Sequence, residues 1–113
     1  MCRGLLLMAL VDGEPGGTAA FRPVDAHSCE AKRLYVRPRV RGMGIGQALL
    51  ERLLDEARAA GYGAMYADTL PSLTAALRMY REAGFEVGPP YSESPTAGAI
   101  YLRILLERAR QKQ

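Results

Sequence analysis

Cysteine and histidine are scarce in this chain, and their scarcity closes off two classes of function at once. Cys2 and Cys29 show no framework spacing, so no disulfide scaffold is expected, and a reduced, cytoplasmic setting is the default. His27 is the single histidine and completes no zinc site with them on any familiar spacing, so no metal is expected. Long apolar runs are missing too: Leu5–Val11 is far short of the roughly 20 residues needed to span a bilayer. With Arg3 ahead of it, the run has the outline of a signal-peptide core. Asp12 and Glu14 follow at once, however, and it reads as a strand with no membrane partner. Disorder has no compositional basis either, because 49% of the residues are hydrophobic and 24% charged.

What is present fits one compact domain, residues 1–113, since 113 residues are too few for two. A domain of this size buries roughly two-thirds of its unfolded surface, enough for a real core. The net charge of +3 is modest but uneven. Arg33, Arg37, Arg39 and Arg41 lie close together, which points to an anionic partner. Nucleic acid is the weaker choice, because no recognition helix or set of stacking aromatics accompanies the arginines.

Leu5–Val11 and Thr18–Phe21 read as two strands of a hairpin with a loose loop over 12–17. Ser28–Arg37 is a longer strand, closed by Pro38. Its alternation predicts Glu30, Lys32, Leu34 and Val36 on one face. Ile45–Ala60 is the clearest helix, with an apolar stripe of Ile45, Leu49, Leu50, Leu53, Leu54 and Ala57, and Gly61 as its stop. Ala64–Thr69 is a strand, and a second helix opens at Pro71 or Ser72 and closes at Gly84. Phe85–Val87 and Ala99–Leu106 are strands separated by a polar loop over 91–98, and 107–113 is a charged tail. The expected fold class is α/β: a mixed sheet with an antiparallel opening hairpin, a parallel crossover from Ser28 to Thr69, and helices packed on its faces.

Between the third strand and the first helix lies Arg41-Gly42-Met43-Gly44-Ile45-Gly46. Glycines at alternate positions open backbone conformations closed to other residues and admit a ligand close to the main chain. The helix start adds unsatisfied N–H groups and a positive dipole end, so the turn suits a diphosphate. A tight connection with no ligand uses the same glycines. A dinucleotide-binding turn places two further residues before its third glycine, which this Gly-x-Gly-x-Gly spacing lacks.

Arg41, Gly44 and Gly46 match, in register, the Arg/Gln-x-x-Gly-x-Gly/Ala signature of the Gcn5-related N-acetyltransferase (GNAT) superfamily, which the chain resembles. The resemblance extends to Arg33-Leu34-Tyr35-Val36-Arg37-Pro38 and to Leu77-Arg78-Met79-Tyr80-Arg81-Glu82-Ala83-Gly84-Phe85, nearly the whole chain in the expected order. It implies an acyl-CoA N-acyltransferase fold and an enzyme that moves an acetyl group from acetyl-CoA to a primary amine by direct attack. By the same resemblance, Leu34 and Val36 offer main-chain groups to the pantetheine arm. Arg41, Gly42, Met43, Gly44, Ile45 and Gly46 hold the diphosphate. Tyr80 protonates the departing thiolate, and Glu30 is a candidate general base acting through water. Each has a plainer reading, Tyr80 as an aromatic of an apolar helix face and Glu30 as a solvated charge at a strand start.

Asp68 and Thr69 end a strand near the site and are candidates for touching the acceptor, as are Tyr91 and Ser92 in the later loop. His27 fits a surface loop. Where many family members carry an asparagine, seven residues before the tyrosine, this chain has Leu73, with Ser72 or Thr69 as substitutes. The strand and two helices with which family members usually begin are not recognisable, so the first strand's edge is expected to be open to a partner, such as a second copy in a homodimer. The alternative to an enzyme is a module that holds acyl-CoA without a competent acceptor site. A small-molecule or peptide amine is the expected acceptor, and the sequence does not choose among amines.

Overall fold

The computed structural model describes residues 4–90 and 98–106. The chain opens with a hairpin of β1 (Leu5–Val11) and β2 (Glu14–Pro23), antiparallel from Leu5 opposite Phe21 to Val11 opposite Glu14. Asp12 and Gly13 join the strands at φ of 54° and 82°. Positive φ at both residues gives the turn a twist that matches the strands. The connection is therefore tight, and β2 begins four residues before the expected Thr18. The extra length is absorbed by a register shift between Ala9 and Leu10, which leaves Gly16 without a partner residue.

Next come β3 (Ser28–Val36), a short 3-10 turn (Pro38–Val40) and helix α1 (Ile45–Ala59). Leu50, Leu53 and Ala57 are sealed from solvent along the expected stripe of α1. Each buried leucine contributes about 1.5–3 kcal/mol over an exposed one. Arg52 reaches forward one turn to Glu56 at 2.8 Å. Then follow β4 (Ala64–Thr69), helix α2 (Thr74–Glu82), β5 (Glu86–Gly88) and β6 (Ile100–Leu105). Helix α2 starts two to three residues later than expected. No side chain caps its first turn, and Leu73 is exposed ahead of it.

Among the described residues six strands run in the order β1-β2-β3-β4-β6-β5, with only β3 and β4 parallel. Two features depart from the sequence expectation. Thr18 faces Tyr35 while Ala20 faces Lys32, so Arg33 and Leu34 share the place opposite Ala19. Arg33 takes φ 57° at this bulge, and alternation flips across it. Leu34 packs against the core and Val36 against the start of α1, whereas Glu30 and Lys32 share the other face with Ala20 and Arg22. The expected common face of Glu30, Leu34 and Val36 is thus broken in the middle.

The second departure concerns the helices, which cover one face of the sheet. Residues of α1 and α2 join one core with Ala19, Phe21, Cys29 and Ala31. Leu5, Leu7 and Ala9 pack against that core. Leu6, Met8 and Leu10 point the other way and are 61%, 55% and 63% exposed. Among the described residues no helix is long and apolar enough to cross a membrane.

Candidate active site at the parting of two strands

Strands β3 and β4 run together for three residue pairs only, from Ser28 opposite Ala64 to Glu30 opposite Tyr66. Beyond them β4 continues to Thr69 in partnership with β6, while β3 bends away at the Arg33 bulge. The wedge between the strands opens into a cavity of about 680 Å³. It is walled by β3 from Ala31 to Val36, the glycine turn, the end of β4 and the inner side of α2.

The glycine turn presents its backbone to this space. Gly42 and Gly44 sit at φ of 88° and 80°, and a Cβ built on either meets nothing within 4 Å. Gly44 is the N-cap of α1, with no side chain capping the helix and no acid in its first turn. The first N–H groups of α1 thus lack the usual side-chain acceptors, a fit for an anionic diphosphate. Gly46 has a different reason to be glycine: a Cβ there comes within 3.1 Å of Met79 Sδ and 3.4 Å of Val36 Cγ2. It lets α1 lie close on β3 and α2. Arg41 donates from Nε to the Val36 carbonyl at 2.9 Å, and its guanidinium lies 5.8 Å from the Tyr35 ring centre. Its charge is fastened at the mouth of the turn.

Tyr80 reaches the same cavity from α2. Its ring packs edge-on against Phe85, with centroids 5.1 Å apart. The Tyr80 carbonyl accepts the Phe85 N–H at 3.0 Å, across Gly84 in a left-handed conformation. Burial first, and then the charge of Asp68, push the Tyr80 phenol up to about 12. The phenol is therefore a proton donor at any physiological pH.

Of the residues singled out in the sequence, Leu34, Val36, Arg41, Gly42, Gly44, Ile45, Gly46 and Tyr80 line one cavity. Met43 is exposed and Glu30 buried, and neither lines it. The Glu30 carboxylate is bracketed by Arg22 Nε at 2.5 Å and Lys32 Nζ at 3.6 Å. His27 is exposed in a loop. Thr69 and Leu73 line the cavity and Ser72 does not, which leaves Thr69 as the polar group beside Leu73. Tyr91 and Ser92 lie outside the described residues. Lys32, Gln47 and Met79 line the cavity without having been singled out, their only sequence signal being proximity to the motif. Among the described residues no cluster of three or more His, Cys, Asp or Glu is placed to hold a metal.

A family model for the acetyltransferase (GNAT) family matches residues 2–85. The chain belongs to this family. An uncharacterized N-acetyltransferase of Schizosaccharomyces pombe is 35% identical to it over 107 residues, 93% of this chain and 66% of the relative. The chain spans 37–45% of the length of three further curated relatives that it matches. Among solved structures, a GNAT-family acetyltransferase from Elizabethkingia anophelis with acetyl-CoA bound superposes with a TM-score of 0.79. That match is at 26% identity and covers 91% of this chain and 76% of that one. A GNAT acetyltransferase from Staphylococcus aureus gives a TM-score of 0.83 at 19% identity, over 93% and 69% of the two chains. The last likeness bears on fold alone, and it agrees that this GNAT chain has the acyl-CoA N-acyltransferase architecture.

Proposed function

We propose that the chain binds acetyl-CoA in the wedge between β3 and β4 and transfers the acetyl group to a primary amine. The observation that carries this reading is one cavity joining the uncapped start of α1 to the Tyr80 phenol. Bound acetyl-CoA would supply a thioester carbonyl for direct attack by the amine nitrogen.

The protein's contribution is position and proton handling. Main-chain groups of Arg41 to Gly46 hold the diphosphate, with Met43 contributing backbone only, because its side chain lies away from the cavity. Leu34 and Val36 hold the pantetheine arm on the part of β3 that β4 leaves unpaired. Tyr80 gives its proton to the departing sulfur. An ammonium acceptor has three protons: one stays on the amide, one reaches sulfur by way of Tyr80, and one leaves to solvent. Glu30, held by Arg22 and Lys32, accepts a proton only through intervening water. An unshifted pH–rate profile in Glu30→Gln would remove Glu30 from the mechanism.

A binding module without transfer is the second reading, favoured by the sheet face that the described helices leave uncovered. Two copies pairing through the edge of β1 would extend the sheet across both chains, and sedimentation equilibrium tests this. Calorimetric titration with acetyl-CoA and with CoA tests the coenzyme site, and product formation across an amine panel separates enzyme from module. A folded chain that binds neither coenzyme would make the glycine turn a mere connector.

A further inference from the structure

Asp68 is the one carboxylate among the described residues lining the cavity. It stands near the end of β4, two residues beyond Tyr66, the last residue that β4 pairs with β3. Strand alternation puts Asp68 on the same face as Tyr66, and the register puts Glu30 there as well. That is the face opposite α1 and α2. The turn and α2 wall the cavity from the helix side, so Asp68 meets it from the other.

The two carboxylates on this face have opposite surroundings. Glu30 is almost fully buried and carries two cations, Arg22 and Lys32. Asp68 is half-buried, and its side chain has no hydrogen bond or ion pair among the described residues. The cations that line the cavity with it are engaged or turned elsewhere: Lys32 leans on Glu30, Arg41 is fixed to Val36 and Tyr35, and Arg33 makes no ion pair with Asp68. The Asp68 charge acts on the Tyr80 phenol, so the two groups share one field.

We propose that Asp68 is the anchor for the acceptor's ammonium group, so that the acceptor is an aliphatic amine that arrives as a cation on the sheet face that the described helices leave bare. The inference rests on the transferase reading and narrows it from primary amines in general to those protonated in solution. Coenzyme phosphates and acceptor cation are then sorted by charge: anion at the glycine turn, cation beside Tyr80. An ammonium held at Asp68 also cancels the negative charge that opposes proton release from Tyr80. The phenol becomes a better donor once the acceptor is in place.

The test compares aliphatic amines, charged at neutral pH, with arylamines of similar size that are neutral there. The readouts are kcat/KM and calorimetric binding to the unreactive complex of the protein with CoA. The expected result is that Asp68→Asn loses about 10- to 100-fold in kcat/KM and in affinity for the charged amines, the scale of one hydrogen bond to a charged group. Arylamine affinity changes by less than about threefold by the same argument, since arylamines carry no charge for Asp68 to hold. Acetyl-CoA affinity stays level, and Asp68→Glu recovers part of the loss. Equal losses for both amine classes, no loss for either, or no amine binding to the CoA complex would each overturn the proposal. Charged amines that bind through Asp68 yet are never acetylated would sustain it and overturn the transferase reading instead.

Discussion

Asp68 and Tyr80 come from different elements and act on one another across the cavity, the aspartate's charge adding to burial in raising the phenol to about 12. A phenol near the sulfur serves as an acid when it stays protonated, and this pairing keeps it so. Replacing Tyr80 with Phe is expected to lower kcat about 100-fold, the lower end of what one positioned acid supplies. Acetyl-CoA affinity should be unchanged within about twofold, since positioning and proton transfer are separate contributions. An unchanged kcat would take the acid role away from Tyr80.

The same shift has a consequence for stability. A phenol whose folded value lies above the ordinary value of about 10 contributes stability that is fully present below pH 10. That contribution is lost as pH rises through about 12. The denaturation midpoint of the unaltered chain should therefore fall more steeply than that of Tyr80→Phe across this window. Parallel curves in urea titrations at a series of alkaline pH values would contradict the assignment.

Gly44 offers a way to separate strain from ligand space. A Cβ there meets nothing in the protein, but its φ of 80° strains any other residue. Gly44→Ala should cost about 1–2 kcal/mol of stability. If the space is the coenzyme's, acetyl-CoA affinity should fall at least about tenfold beyond that, because main-chain donors lose close approach. Circular dichroism melts and calorimetry on one variant read both numbers.

Core packing gives a further measurement. Leu53 is sealed beneath α1, and Leu53→Ala should cost about 2–5 kcal/mol in chemical denaturation. A loss below about 1 kcal/mol would mean that α1 is not seated on the sheet as described.

The Arg33 bulge marks where the sequence stopped being readable. The order of elements, the α1 stripe, the glycine turn and the Tyr80-to-Phe85 segment were legible because periodicity and spacing encode them locally. Alternation along Ser28–Val36 looks unbroken, and no glycine announces the bulge. The extra residue is visible only against β2, where Thr18 and Ala20 fix the register. The face that the described helices leave bare was hidden for a related reason, since a strand such as Leu5–Val11 that is apolar throughout does not say which side meets a helix. The ion pairs of Glu30 join residues from two strands, and Asp68 stands out only once those pairs are seen.

Arg33→Gly tests the bulge directly. Relief of the left-handed strain, about 1–2 kcal/mol, offsets the entropy that glycine loses on ordering, about 0.5–1 kcal/mol. The expected outcome is unchanged or slightly raised stability, where glycine elsewhere in a strand lowers it. Arg33→Val should be worse by about 1 kcal/mol or more. A Gly variant as unstable as the Val variant would place the irregularity somewhere else.

Among the described residues, three residue pairs between β3 and β4 are the only ladder that joins the hairpin half of the sheet to the β4–β6–β5 half. In mechanical terms this is a seam, backed by a core that both halves share and left unpaired along the rest of its length. A molecule lying in the wedge touches both halves and so acts as mortar as well as substrate. Amides along β3 and β4 should exchange with solvent together in the empty protein, and they should slow together when the wedge is filled.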